Sequence, residues 1–178
     1  MKISLVRHGE TEANYLSKIQ GRSNPLLNDT GRRQCQKLRN RILEKHYDVC
    51  YTSPLIRCVE TTFILIGDRV KFIKDDRLME RDMGKLEGKD YSLYDKYKYW
   101  DYDLNSSDEE VEGIQDLFFR CQEFLDYIKK THSKNEDILI VTHGAVYRAL
   151  RYLLLKHSLK GHMYDSKIEN CQFEEFQI

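Results

Sequence analysis

The chain of 178 residues has no net charge at neutral pH, because 29 lysines and arginines balance 29 aspartates and glutamates. It therefore lacks the basic excess of a broad nucleic-acid or anionic-membrane surface, and we expect neither nucleic acid nor a membrane as a partner. No apolar run approaches the roughly 20 residues that cross a bilayer. The short apolar stretch at residues 3–6 is followed directly by a charged residue, whereas a signal peptide would need a longer apolar segment. A cytoplasmic location is therefore expected.

Cysteines are few, odd in number and widely spaced, at Cys35, Cys50, Cys58, Cys121 and Cys171. Without a C-x-x-C pair, we expect neither a disulfide framework nor a thiolate zinc site, and predict reduced, partly buried thiols. The chain also lacks an H-E-x-x-H motif and a G-x-x-x-x-G-K-[ST] loop, so no metal or other cofactor is expected. Only two prolines and nine glycines occur, and no linker announces a second domain. A single domain spanning residues 1–178 is predicted.

Short apolar runs alternate with amphipathic stretches along most of the chain. The predicted strands are residues 3–6, 49–52, 70–73, 138–141 and 172–178, and the predicted helices are residues 30–45, 55–66, 114–128 and 145–155. This alternation predicts an α/β fold with three layers (α/β/α) and a mostly parallel central sheet. Residues 89–112, rich in tyrosine and aspartate, break the rhythm and are predicted to form a small cap insertion.

Two histidines come directly after the two clearest predicted strands. His8 follows residues 3–6, and His143 follows residues 138–141. Because ligands of parallel sheets bind beyond the carboxyl ends of the strands, the topology could bring these distant side chains together. A single histidine or arginine at such a place is more often structural than catalytic, so the whole combination of residues has to decide.

Several segments resemble, in order, the motifs of the histidine phosphatase superfamily, which includes the phosphoglycerate mutases. They are Arg7-His8-Gly9-Glu10-Thr11, Asn14, Gln20-Gly21 with Pro25-Leu26, residues 53–61 around Arg57, residues 78–88 around Glu80, and residues 141–145 around His143. The resemblance covers the chain from Met1 to about Leu155. It implies an enzyme, since a non-catalytic binding or regulatory relative is expected to lack one of the pocket residues.

The resemblance implies that His8 attacks phosphorus and that water later hydrolyses the phosphohistidine. Arg7 and Arg57 can each hold the phosphate through two hydrogen bonds and disfavour the protonated form of His8. A backbone carbonyl is expected to hold the other ring nitrogen of His8. By the same resemblance, His143 donates a hydrogen bond to the phosphoryl oxygens, and Glu80 protonates the leaving alkoxide and then activates water.

Four further residues are predicted to line the phosphate or substrate side of the pocket. Gly144 opens a predicted helix, where its backbone N–H can face an anion. By resemblance, Asn14, Gln20 and Gly21 contact the phosphate or the substrate. The alternative for these three is a purely structural turn, since asparagine and glycine both favour loops.

The segment after Glu87 favours hydrolysis over phosphoryl transfer between positions of one sugar acid. Tyr91 stands where a mutase carries a lysine that holds the substrate carboxylate, and no Arg-Arg pair occurs between Glu87 and Arg120. A second phosphate or carboxylate is therefore expected to meet little positive charge there. Mutase activity remains the alternative.

The insertion is instead rich in aromatic side chains, which either stack on a flat substrate or simply pack as a cap. Small family members that dephosphorylate alpha-ribazole phosphate resemble this chain in length and motif order, which makes that ester the most specific substrate hypothesis. The expected partner is a small-molecule phosphate ester, and the oligomeric state, monomer or homodimer, stays open.

Overall fold

The computed structural model describes all residues from Met1 to Ile178 and centres on one five-stranded sheet. Its strands are β1 (Lys2–Arg7), β2 (Val49–Thr52), β3 (Phe72–Lys74), β4 (Asp137–Thr142) and β5 (Phe173–Gln177). Their spatial order is β3-β2-β4-β1-β5, with four parallel strands and β5 antiparallel to β1. The predicted mostly parallel sheet is confirmed. The continuous apolar runs of β1 and β4 fit strands that are covered on both faces.

Helices cover both faces of the sheet, as the alternating pattern predicts. They are α1 (Glu12–Tyr15), α2 (Asp29–Leu43), α3 (Ile56–Ile66), α4 (Lys96–Tyr99), α5 (Ile114–Thr131) and α6 (Gly144–Leu154). The α2 and α3 helices bury their apolar sides against one face, and α5 and α6 form the larger core on the other face. None of these helices combines the length and apolar composition needed to cross a membrane.

Residues 89–112 contain α4 and single turns of 3-10 helix rather than long regular elements. Tyr94 stacks on Tyr99 with ring centroids 5.3 Å apart, and Tyr99 belongs to a small apolar cluster separate from the main core. Trp100, by contrast, is buried in the main core. On these contacts we propose that the segment is a cap on one domain that spans residues 1–178.

Candidate active site

The neighbouring strands β1 and β4 bring the two histidines together. Arg7 pairs with Thr142 in the sheet register, so His8 and His143 leave the same sheet edge side by side. Their rings meet edge to face with centroids 5.2 Å apart, and both side chains are buried. Chain positions far apart in the sequence therefore form one site at the carboxyl ends of parallel strands.

The ring of His8 is held in the orientation and tautomer that a nucleophile needs. Its Nδ1 lies 2.6 Å from the carbonyl oxygen of Gly9, which can only accept a hydrogen bond, so Nδ1 carries the proton and Nε2 is left unprotonated. Burial above all, and then the charges of Arg57 and Arg7, holds the pKa of His8 well below its ordinary value. The two arginines contribute as expected, but burial is the larger cause.

Arg57 is a buried guanidinium group and Arg7 a half-buried one, and neither forms a salt bridge. Arg57 donates from Nη1 to the carbonyl of Ser23 at 2.6 Å and from Nη2 to that of Gly21 at 2.8 Å. Arg7 donates from Nη1 to the carbonyl of Ile168, while its Nε is buried without a partner. Burial lowers the pKa of both arginines, which reflects the cost of holding positive charge away from water. A bound anion would offset that cost.

His143 is more tightly engaged than the sequence suggests. Its Nδ1 accepts a hydrogen bond from Nε of Arg57 at 3.1 Å, and its Nε2 lies 2.7 Å from the hydroxyl of Ser53. Both ring nitrogens thus have protein partners, and His143 lies behind the surface of the cavity. The expected hydrogen bond to a phosphoryl oxygen requires one of these contacts to break. Ser53 is a site residue that the sequence motif contains but that sequence reasoning gave no role.

Glu80 packs against the first turn of α6, close to the guanidinium of Arg7. Its carboxylate accepts hydrogen bonds from the backbone N–H of Arg81 at 2.9 Å and of Ala145 at 3.2 Å. A Cβ on Gly144 would lie 3.6 Å from Nε of Arg7 and 3.8 Å from Oε2 of Glu80. Gly144, a single small residue, therefore separates the carboxylate of Glu80 from the guanidinium of Arg7. It lies at the start of α6, where backbone N–H groups favour negative charge.

Asn14, Gln20 and Gly21 all line the cavity and also serve the local structure. The side-chain oxygens of Asn14 and Gln20 accept hydrogen bonds from the hydroxyl of Thr11 at 3.1 and 2.9 Å. Gly21 has a φ of +51°, and a Cβ there would lie 2.0 Å from a carboxylate oxygen of Glu87. The structural and the binding interpretations of these residues are thus compatible.

These residues open into one cavity of about 300 Å³, where cationic side chains outnumber acidic ones; three of the cations, Lys18, Arg148 and Lys167, are paired with carboxylates outside the lining. Glu80 is the only acidic residue among those lining it, against six cationic ones: Arg7, Lys18, Arg57, Arg81, Arg148 and Lys167. The insertion contributes only Tyr91, Tyr94 and Trp100 to this wall. The insertion thus adds no cation to this wall, and all six come from outside it.

Arg81 and Arg148 lie on the wall beyond the phosphate pocket, each within cation–π distance of Trp100, at 5.7 and 4.9 Å from its ring centroid. Nη2 of Arg81 and Nε of Arg148 are buried without a hydrogen-bond partner. Arg148 is paired with Asp165, whereas Arg81 bonds only backbone carbonyls, those of Tyr99 and Glu112.

Sequence reasoning missed both arginines, although signals for them exist. Arg81 directly follows Glu80, and Arg148 lies four residues after Gly144, one helical turn along the same face of α6. Such spacing indicates that two residues lie on the same face of a helix. What that face contacts depends on how the helix packs.

The chain matches known proteins over almost its whole length. The family model described as "Histidine phosphatase superfamily (branch 1)" matches residues 3–178. Phosphoglycerate mutase-like protein 4 of Arabidopsis thaliana is 35% identical over 159 residues, which are 84% of this chain and 69% of that protein. Phosphoserine phosphatase 1 of Hydrogenobacter thermophilus is 30% identical over 162 residues, 87% of this chain and 76% of that protein.

A solved structure shows the same architecture. A mutant phosphoserine phosphatase of Entamoeba histolytica, in complex with phosphoserine, superposes with a TM-score of 0.81 at 27% identity, covering 98% of this chain and 89% of that one. The similarity therefore includes the cap segment and extends to β5, beyond Leu155, where the motif resemblance ends.

Proposed function

The chain belongs to the histidine phosphatase superfamily, and on that premise we propose that it hydrolyses small phosphate monoesters whose alcohol carries a carboxylate. It is an enzyme, a metal-independent phosphoric monoester hydrolase. The observation that carries the substrate class is the buried guanidinium of Arg81 on the cavity wall, which forms no salt bridge and is present in addition to Arg7 and Arg57. A phosphate monoester brings only about two negative charges near neutral pH.

In the proposed reaction, Nε2 of His8 attacks phosphorus while the ester P–O bond breaks, which gives a phosphohistidine and an alcohol. Arg7 and Arg57 hold the phosphoryl oxygens and stabilise their charge in the transition state. Glu80 gives its proton to the leaving alkoxide, then takes one from the attacking water as the N–P bond breaks. His143 keeps Arg57 in place through the contact between Nδ1 and Nε.

The carboxylate of the substrate is assigned to the wall around Trp100. Arg81 is the better candidate to bind it, because it is buried, forms no salt bridge and has a free Nη2. Arg148 contributes less free charge, since Asp165 already neutralises much of it. An N–H donor paired with a carboxylate makes a short, charge-assisted hydrogen bond, which discriminates against an uncharged analogue.

Alpha-ribazole phosphate is the second candidate substrate, and the aromatic wall favours it. Tyr91, Tyr94 and Trp100 line the cavity and could stack on its flat base. This ester offers no carboxylate, however, and would leave the charge of Arg81 uncompensated. We also propose a cytoplasmic location, because all five cysteines are free thiols, which suits a reducing compartment.

Matched pairs of esters test the substrate class in the presence of excess chelator. Phosphoserine and phosphoethanolamine differ by one carboxylate, and 3-phosphoglycerate carries a carboxylate where glycerol 3-phosphate carries a hydroxymethyl group. We expect kcat/KM to be at least about tenfold higher for the carboxylate member of each pair, which is a difference of about 1.4 kcal/mol. Equal values within pairs, or a clear preference for alpha-ribazole phosphate, would reject the proposal. Isomerised phosphoglycerate instead of free phosphate would indicate a mutase.

A further inference from the structure

Two cysteines that are 136 positions apart in the sequence are in contact in the fold. The sulfur atoms of Cys35 and Cys171 lie 3.5 Å apart. Cys35 is fully buried in α2, and Cys171 is partly exposed in the turn before β5. Cys50, Cys58 and Cys121 are buried and make no contact with another sulfur. The wide spacing of cysteines in the sequence gave no sign of this pair.

The pair lies directly behind the backbone that carries the nucleophile. A Cβ on Gly9 would lie only 2.8 Å from the sulfur of Cys35, so that sulfur packs against the residue whose carbonyl orients His8. The backbone N–H of Cys171 donates to the carbonyls of Arg7 at 3.1 Å and of His8 at 3.3 Å. Each cysteine therefore contacts the backbone of residues 7–9, and neither cysteine lines the phosphate pocket.

We propose that Cys35 and Cys171 form a modification site, at which hydrogen peroxide joins the two sulfurs in a disulfide that disturbs the phosphate pocket. The consequence for turnover rests on the proposed phosphatase function, whereas the chemistry of the cross-link does not. One sulfur, as a thiolate, takes an oxygen from the peroxide as the O–O bond breaks, which yields a sulfenic acid and, after proton uptake, water. The other thiol displaces that oxygen as a second water, so two thiols and one peroxide give one disulfide and two waters.

The surroundings of the pair suit this chemistry. The hydrogen bond between the two sulfurs is the largest influence on Cys35 and lowers its pKa, which favours Cys35 as the thiol that ionises. Gln34 and Asn170, the chain neighbours of the two cysteines, line a polar cavity of about 280 Å³, which is roomy enough for peroxide. Cys171 is the partly exposed member through which an oxidant can approach.

Closing the bond requires movement that reaches the catalytic residues. A disulfide has a sulfur–sulfur distance of about 2.05 Å, so the two sulfurs must approach by roughly 1.5 Å. Cys35 is braced against Gly9, which leaves the segment around Cys171 to move. In that segment, the carbonyl of Ile168 accepts from Arg7, and the side chain of Asn170 donates to the carbonyl of His8 at 3.0 Å. Misplacing a catalytic group by about 1 Å can cost on the order of 100-fold in rate.

The experiment treats the purified chain with a small excess of hydrogen peroxide and follows mass, peptide cross-links and activity together. We expect a mass loss of about 2 Da from the two thiol hydrogens, a Cys35–Cys171 cross-link in the peptide map, and at least a tenfold fall in aryl phosphate turnover that dithiothreitol reverses. The ratio of activity after and before peroxide is compared within each variant. Cys171→Ser and Cys35→Ala should hold that ratio near one, whereas the control Cys50→Ala should lose activity like the parent chain.

The outcomes separate the inference from the proposed function. A cross-link elsewhere, or no mass loss, overturns the modification site, and a mapped cross-link with unchanged turnover overturns its effect on the pocket. If the reduced chain hydrolyses no ester at all, the proposed function fails. In that case the mass and the peptide map still decide whether the two cysteines join, and the affinity for inorganic phosphate before and after peroxide decides whether the pocket changes.

Discussion

The two ends of the cavity are built in different ways. The phosphate end is formed at the carboxyl ends of β1 and β4 and at the first turn of α3. Its histidines and arginines form hydrogen bonds with one another and with nearby backbone carbonyls. The distal end is assembled from the residue after Glu80, the cap segment and one face of α6, and it holds two of the three guanidinium groups that have a buried nitrogen without a partner, Arg81 and Arg148. On the proposed function, the rigid sheet edge carries the reaction, whereas loops and a helix face select the alcohol.

The sharpest way to break this comparison is to remove the nucleophile. We expect His8→Ala to lower kcat/KM at least about 10⁴-fold for every ester, because no other group in the pocket offers an unprotonated ring nitrogen to phosphorus. Denaturation at alkaline pH, where the N–P bond of a phosphohistidine is stable, should leave phosphate on the parent chain and not on the variant. Phosphoenzyme that survives in His8→Ala would assign the nucleophile to another residue.

In the proposed reaction, the proton transfer at Glu80 links the phosphate end and the distal end of the cavity, because the leaving alcohol lies between them. We expect Glu80→Gln to slow alkyl phosphates by about 10²- to 10³-fold, since an alkoxide needs a proton to leave. Aryl phosphates, whose leaving groups are weaker bases, should lose less than about tenfold. Measuring kcat for both ester types in one preparation provides the internal control, and equal slowing would point to a different acid.

Selectivity should be lost without loss of the reaction when only the distal end is changed. We expect Arg81→Gln to reduce the preference for phosphoserine over phosphoethanolamine about tenfold, because one charge-assisted hydrogen bond to the carboxylate disappears. Arg77→Gln is the matched control, since Arg77 is also a hydrogen-bonded arginine but pairs with Asp75 outside the cavity. A loss that is uniform across all esters would assign Arg81 a purely structural role.

The smallest expected effect concerns stability and belongs to the phosphate end alone. Burial holds the pKa of His8 and of His143 well below 6.5, so the unfolded chain binds more protons than the folded chain as the pH falls through 6.5. The free energy of unfolding should therefore decrease between about pH 6.5 and 5, by at most about 1.4 kcal/mol per pH unit for each histidine.

Urea unfolding at several pH values measures this slope. His8→Gln should make it shallower by up to one proton, whereas His157→Gln, a change at the surface, should leave it unchanged. A free energy of unfolding that is flat or rises on acidification would show that the buried histidines are not kept neutral by the fold.

Much of the fold followed from periodicity because its elements are locally consistent. The runs at residues 3–6 and 138–141 are apolar on both faces, which a strand buried between helix layers requires, and both strands are present. The segment at 89–112 was less predictable, since its short turns are held by tertiary contacts such as the stacking of Tyr94 on Tyr99.

The candidate site divides in the same way. Arg7, His8, Arg57, Glu80 and His143 come from motifs, and the structure gathers all five at one sheet edge. The hydrogen bonds at both ring nitrogens of His143 could not be predicted from the sequence. Their partners, Ser53 and Arg57, come from the end of β2 and from α3, which are far from His143 along the chain. Arg148 could not be assigned either, since its place depends on how α6 packs against Trp100.

The sequence by itself determined the layered α/β fold, the superfamily and the five residues proposed for the reaction, because strand and helix periods and short motifs are local properties of the chain. Tertiary structure alone decided which backbone carbonyl orients His8, where the excess positive charge of the cavity comes from, and that Cys35 meets Cys171. Each of these depends on contacts between distant segments, whose distances are set by packing around the sheet and leave no local pattern in the sequence.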